Sequence, residues 1–168
     1  SLVKKLLETN QDLWLSVSAT TRKPREGEKN GEHYYFLERK EFEELIDNKG
    51  FLEWAEFAGN LYGTPIHQIQ KQIDNGKRVL MEIELQGARQ VRKSCPEAIQ
   101  VFIAPPSFVE LEKRIRGRGT EIEEDIQKRL QRALEELNAI NEFDAVVIND
   151  SFDKALSELD RLFRGLRS

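Results

Sequence analysis

At 168 residues, with 33% charged side chains and a net charge of −4, the chain is sized for one domain with a real core and argues against a general nucleic-acid or anionic-membrane binder, since both want a basic surface. No apolar run approaches the roughly 20 residues of a spanning helix and no signal peptide is visible. The single cysteine, Cys95, leaves no internal disulfide framework, so a reducing, cytoplasmic setting is expected.

In chain order, Leu2, Val3, Leu6 and Leu7 share one face of a first helix. Leu13–Ser18 then reads as a short buried strand, the first of four apolar, β-branched segments expected to run parallel; the others are Val79–Glu84, Ile99–Ala104 and Ala145–Asn149. Residues from about 20 to 75 break the pattern. Tyr34–Leu37, Phe51–Phe57 and Leu61–Thr64 alternate or carry aromatics, with a hairpin turn at Gly59-Asn60 and one helix near Phe42, Leu45 and Ile46. Downstream, Val91 lies on a helix after Gly87. A Ser107-x-x-Glu110 capping box opens the next helix, a Thr120-x-x-Glu123 box the one after, and Ala155, Leu156, Leu159, Leu162, Phe163 and Leu166 line the closing helix. Strands alternating with helices predict an α/β three-layer core, built from residues 1–19 and 76–168, with a small mixed β insertion at 20–75.

Three clusters carry chemistry. Arg22 and Arg25 stand on a Pro-stiffened loop after the first strand, with the hydroxyls of Ser18, Thr20 and Thr21 and the phenol of Tyr34 nearby. Fixed guanidinium forks with neutral donors suit a dianionic phosphate, although a solvated basic turn carries the same residues. In the insertion, Glu53 projects from an aromatic strand, and Tyr62 and Thr64 alternate onto one side of the next. A carboxylate that accepts from adjacent N–H donors can read guanine, which offers N1–H beside an exocyclic amine; a hairpin that merely buries Trp54 and Phe57 is the other reading. Glu84 ends the second core strand, where a carboxylate is costly unless it is used or paired. The third cluster, Lys113–Gly119 with Arg129 beyond it, places Arg114, Arg116 and Arg118 around two glycines, as a phosphate-covering lid requires; taken alone, an ordinary basic helix end, favoured by the helix dipole, is the stronger reading. His33 and His67 are lone, Cys95 reads as a structural thiol, and no protein-only metal site is expected.

Together these segments resemble the guanylate kinase family over essentially the whole chain. The matching motifs are Ser16–Arg25, Glu28-x-Asn30-Gly31-x-x-Tyr34, Phe51–Thr64, Glu84-x-Gln-Gly87, Phe102–Ser107, Arg114–Thr120 and Val147–Asp150. The resemblance implies a P-loop NTPase-like core with a parallel sheet, a GMP-binding insertion and an arginine-rich lid at about 114–129. It implies that Arg22, Arg25, Tyr34 and Tyr62 hold the GMP phosphate. Ser18, Glu53, Thr64 and Glu84 would recognise guanine, with Glu84 standing where members often carry Asp. Arg114, Arg118 and Arg129 would close over the ATP phosphates, with Arg22 joining them in catalysis, and Asn149 would lie near the adenine.

The expected activity is ATP-dependent phosphorylation of GMP or dGMP, by in-line transfer with Mg²⁺ accompanying the nucleotide. A monomer and a homodimer fit equally. The family pattern begins with a strand and a Gly-x-x-x-x-Gly-Lys loop, neither of which occurs here. Ser1 would follow directly on that loop, beside the Mg²⁺, and the expectation is that such a segment precedes Ser1, phosphate transfer being inactive or nearly so without it. The rival reading is a non-catalytic guanylate-kinase-like module binding phosphopeptides or GMP only. The missing loop favours that rival, and the complete purine-reading and lid arginine sets oppose it.

Overall fold

The computed structural model describes residues 2–117, 119 and 121–165. It divides into two compact units, one of Ser1–Leu6 and Ile99–Ser168, the other of Leu7–Ala98. Helix α1 (Leu2–Thr9) has residues in both.

The Leu7–Ala98 unit runs β1 (Leu13–Leu15), β2 (Ala19–Thr20), β3 (Tyr35–Phe36), α2 (Arg39–Asp47), β4 (Phe51–Phe57), β5 (Asn60–Pro65), α3 (Ile66–Asp74), β6 (Arg78–Leu80) and α4 (Leu85–Ser94). β1 and β6 form a parallel ladder that starts with Leu13 opposite Arg78, where the Arg78 guanidinium also donates to the Asp12 carboxylate (2.5 and 3.0 Å). The other four strands make a mixed sheet of order β3-β2-β5-β4. Its apolar face closes on Phe42 of α2. Phe42 stacks on Phe51 with centroids 4.4 Å apart, and both join Ala19 and Leu61 in a buried cluster flanked by Tyr35, Leu37, Leu45 and Ile46. This core fixes the β4–β5 hairpin that carries much of the candidate site.

Two details of that hairpin matter. Its loop is Ala58-Gly59, both at positive φ (51° and 83°), with Phe57 paired to Asn60; the turn therefore sits one residue earlier than expected, in the geometry that suits tightly twisted strands. Between the pairs Phe51–Pro65 and Glu53–Thr64, Leu52 is an extra residue, a β-bulge. Close approach of the two strands is possible because Gly63 has no side chain. A Cβ there would lie 2.8 Å from the Phe51 ring and 2.9 Å from the Trp54 Cβ.

The second unit runs β7 (Val101–Ala104), α5 (Phe108–Arg116), α6 (Glu123–Asn138), a 3₁₀ turn (Ile140–Glu142), β8 (Ala145–Ile148) and α7 (Phe152–Gly165). β7 and β8 pair in parallel over four residues. Val147, Ala155 and Leu159 are buried, α7 packs on β8, and Phe102 meets Phe143 edge-on at 5.1 Å.

The α/β expectation holds, with shorter strands than the apolar runs suggest. β1 stops at Leu15 and β6 at Leu80. Glu84 does not end a strand: it is the N-cap of α4, which begins before Gly87 rather than after it. Ser107 caps α5 as expected, its hydroxyl accepting from the Glu110 N–H. Thr120 lies outside the described residues, and Ile122 holds the N-cap position of α6. The sequence reading passes over α3, although Ile66, Ile69 and Ile73 mark one face of a helix there. Among the described residues β6 pairs only with β1 and β7 only with β8, so the four parallel strands form two ladders.

Candidate functional site

The arginine loop is organised by an acid. Glu28 returns across the turn and takes both Nη atoms of Arg22 in a fork at 2.9 Å each, while its Oε1 also accepts the Arg25 backbone N–H at 2.7 Å. Both side chains are mostly covered, at 13% and 19% exposure. The Arg22 guanidinium, followed by the Arg25 N–H, holds the Glu28 carboxyl down at about 2; the same fork raises the pKa of Arg22. The guanidinium carbon of Arg22 lies 5.2 Å from the Tyr34 ring centroid, and Tyr34 meets Tyr62 edge-on at 6.2 Å. Arg22, Tyr34 and Tyr62 are thus gathered into one cationic and phenolic cluster, and Arg25 is joined to it through Glu28. Such a cluster suits a phosphate dianion.

Two of the hydroxyls expected at that phosphate are otherwise employed. The Thr20 hydroxyl, fully buried, donates to the Leu61 carbonyl at 2.9 Å and accepts from the Arg22 N–H at 3.1 Å. The Thr21 hydroxyl accepts from the Leu61 N–H at 2.9 Å. Both shape the loop that carries Arg22, because a chain leaving a sheet must satisfy its backbone groups locally. Ser18 stands just before β2, its carbonyl accepting from the Tyr35 N–H at 2.9 Å.

A second cluster gathers three groups from β4, β5 and the start of α4. The buried Thr64 hydroxyl donates to Glu53 Oε1 at 2.6 Å. Glu84 accepts from the backbone N–H groups of Gln86 (2.9 Å) and Gly87 (2.6 Å), so the helix N-terminus offsets its charge. Between the two carboxylates lies Gly87: a Cβ built there would be 3.2 Å from both Glu53 Oε2 and Glu84 Oε1. Burial, helped by the Glu84 charge, pushes the Glu53 carboxyl above its ordinary range, and the Thr64 hydrogen bond opposes that rise. Two carboxylates at one glycine form an acceptor site for a group presenting adjacent N–H donors.

In the other unit, Arg114 pairs with Glu110 (3.4 Å) and Arg129 with Glu121 (2.8 Å). Arg129 also lines an open cleft with Glu121, Asp125, Lys128 and Arg132. The most firmly held cation here is Arg116, forked onto Glu123 (2.6 and 3.0 Å) and bonded to Glu112 (3.0 Å). Gly119 takes a positive φ of 65°, whereas Gly117 has helical dihedrals with φ −65° and is the C-cap of α5. The Asn149 N–H donates to the Ala104 carbonyl at 2.7 Å, extending the β7–β8 pairing. Ser1 and Arg118 lie outside the described residues.

Sequence reasoning missed two participants. Glu28 falls in a matching motif with no role legible for it there, though an acid three residues after Arg25 is the available signal. Gly87 looked like a helix-entry residue, and its crowding against Glu53 is visible only in three dimensions. Cys95 is partly buried, and its thiol is pushed up mainly by that burial. Among the described residues no group of three or more His, Cys, Asp or Glu side chains could hold a metal ion, and no helix is long and apolar enough to cross a membrane.

Comparisons with known proteins bear on the family of this chain. The family model described as Guanylate kinase matches residues 1–166. A curated protein named Guanylate kinase from Prochlorococcus marinus is 66% identical over 164 residues, covering 98% of this chain and 89% of its own length. One of the same name from a Synechococcus species is 61% identical, with coverages of 96% and 85%. Among solved structures, a guanylate kinase from Anaplasma phagocytophilum matches with a TM-score of 0.73 at 33% identity, covering 98% of this chain and 79% of that one.

Proposed function

Because this chain belongs to the guanylate kinase family, we propose that it phosphorylates GMP, and dGMP, with ATP as donor, and that the Leu7–Ala98 unit is where the monophosphate is held. The observation that carries this reading is the pair of clusters in that one unit. Arg22, Arg25, Tyr34 and Tyr62 offer charge and phenols to the phosphate, and Glu53, Thr64 and Glu84, with Ser18 completing the set, offer acceptors and a donor to guanine. Glu53 and Glu84 converge on Gly87, where guanine N1–H and its exocyclic amine would add donors to those the two carboxylates already accept from. Adenine has no N1–H and would leave those further acceptor positions unsatisfied, at a cost that makes such discrimination strong.

The residues of the other unit take the donor's side of the reaction. Arg114, Arg129 and Arg118 would stabilise charge on the transferred phosphoryl group, and Asn149 would sit near the adenine. Residues 20–75 would close over GMP and about 114–129 over ATP. Magnesium arrives with ATP, and its chemistry is to neutralise charge across the phosphates. Its proposed protein contact, Ser1, lies outside the described residues. The setting proposed is the cytoplasm.

The test is a coupled ADP-release assay with GMP or AMP as acceptor. Slow but measurable turnover with GMP and less or none with AMP is expected, and equal, measurable turnover of the two would overturn the assignment. The 168 residues contain no Gly-x-x-x-x-Gly-Lys element, and we propose that transfer by this sequence alone is slow. GMP binding needs no such element and reads the acceptor site directly. The phosphopeptide reading gains no support from the relatives, which carry the enzyme's name.

A further inference from the structure

β4 is the outer strand of its sheet, and an outer strand presents backbone groups that need a partner. Here α4 provides one with side chains. Gln90 Oε1 accepts from the Trp54 N–H, and Gln90 Nε2 donates to the Trp54 carbonyl, both at 2.9 Å. A carboxamide thus reproduces the pairing that a neighbouring strand would make. One turn along, the Ser94 hydroxyl donates to the Leu52 carbonyl at 2.7 Å. Leu52 and Trp54 are the residues on either side of Glu53, and Leu52 is the bulged one. Gly87, Gln90, Val91 and Ser94 fall at i, i+3, i+4 and i+7, a single helical face, and the same helix starts at Glu84.

We propose that Gln90 and Ser94 are positioning residues for guanine discrimination, gripping β4 on both sides of Glu53 and holding that carboxylate opposite Glu84. This inference rests on the guanine reading above. The physical need is plain: two carboxylates meeting at Gly87 repel each other while no nucleotide is bound, and a bulged outer strand is the part of a sheet most able to yield. The bulge aims Glu53 toward α4, and the two hydrogen-bonded side chains prevent the strand from drifting outward.

The experiment compares GMP with inosine monophosphate, which keeps N1–H but lacks the exocyclic amine. Calorimetric affinities for both are measured on the 168-residue chain and on Glu53→Gln, Gln90→Leu, Ser94→Ala and Ser94→Thr, with thermal melts as a folding control. Glu53→Gln is expected to reduce the GMP-to-inosine-monophosphate affinity ratio about tenfold or more, as loss of a charged hydrogen bond does. Gln90→Leu should compress the ratio about fivefold and Ser94→Ala about twofold, by partial loss of the same bond, with Ser94→Thr restoring it. A purely structural clamp would weaken both ligands equally. That outcome, with Glu53→Gln still compressing the ratio, overturns the positioning role. A ratio untouched by Glu53→Gln overturns the guanine reading and the clamp with it. If Gln90→Leu fails to fold, the Ser94 pair decides the question, since its change removes one hydrogen bond at an exposed position.

Discussion

Glu53 shows at a single residue how the proposed base recognition would oppose stability. Its carboxyl is held above the ordinary range by burial and by Glu84, so the folded chain binds its proton more tightly than the unfolded chain does. Stability from this group is therefore present below the unfolded carboxylate pKa and lost as pH rises through the raised value. Glu53→Gln should accordingly melt higher than the parent at pH 7, with the gap shrinking toward pH 4, while GMP affinity falls about tenfold or more. Melts across that pH range check the first part and titration the second; a variant less stable at pH 7 than the parent contradicts the electrostatic argument. Glu28 has the opposite sign. Its pKa is lowered to about 2 by Arg22, so its contribution is complete above the unfolded carboxylate pKa and lost as pH falls toward 2. Glu28→Ala should raise the GMP KM roughly tenfold through a mis-aimed Arg22, as loss of a charge-assisted fork does, with a smaller rise for Glu28→Gln. An unchanged KM would leave Glu28 as a loop staple alone.

Among elements, α4 joins architecture to recognition. Its N-cap, its first-turn glycine and its clamp residues all lie against Glu53 or its strand, the strand proposed to read the nucleotide, so a substitution can separate fold from function. Gly87→Ala should hold or raise stability, because alanine exceeds glycine in helices by about 1 kcal/mol. It should also weaken GMP, since the new Cβ meets both carboxylates at 3.2 Å. Parallel melts and titrations check this; tighter GMP binding would show that the carboxylates do not need that gap. By contrast, Ser107→Ala removes the α5 cap and should cost about 1 kcal/mol with no change in GMP affinity, because α5 belongs to the other unit. A lost affinity for GMP would contradict that separation.

At the scale of the whole molecule, much was legible before any coordinates. Hydrophobic runs located all four parallel strands, since their residues are apolar on both faces even where, as at Ile103, Val146 and Ile148, one face is exposed, and the aromatic hairpin declared itself over Phe51–Phe57. The arginine loop, Glu53, Thr64 and Glu84 could be named as candidates because charged groups set within or beside apolar strands are costly unless they are used or paired. What stayed hidden was tertiary. Glu84 as a cap depends on where a helix begins, the bulge at Leu52 depends on pairing register, and Gln90 resembles any surface glutamine until its distance to Trp54 is known. Thr20 and Thr21 were misjudged for the same reason: their hydroxyls bond to Leu61 across the sheet, a partner 41 and 40 residues away that no local pattern reveals.

The central claim is that the Leu7–Ala98 unit reads guanine through Glu53. The most direct measurement is a calorimetric titration of the purified chain with GMP and with AMP, repeated on Glu53→Gln. The account predicts a saturating one-to-one isotherm for GMP, little or no heat for AMP at the same concentrations, and a GMP affinity about tenfold or more lower in the variant. Equal affinity for the two nucleotides, or a GMP isotherm indifferent to Glu53→Gln, would contradict it.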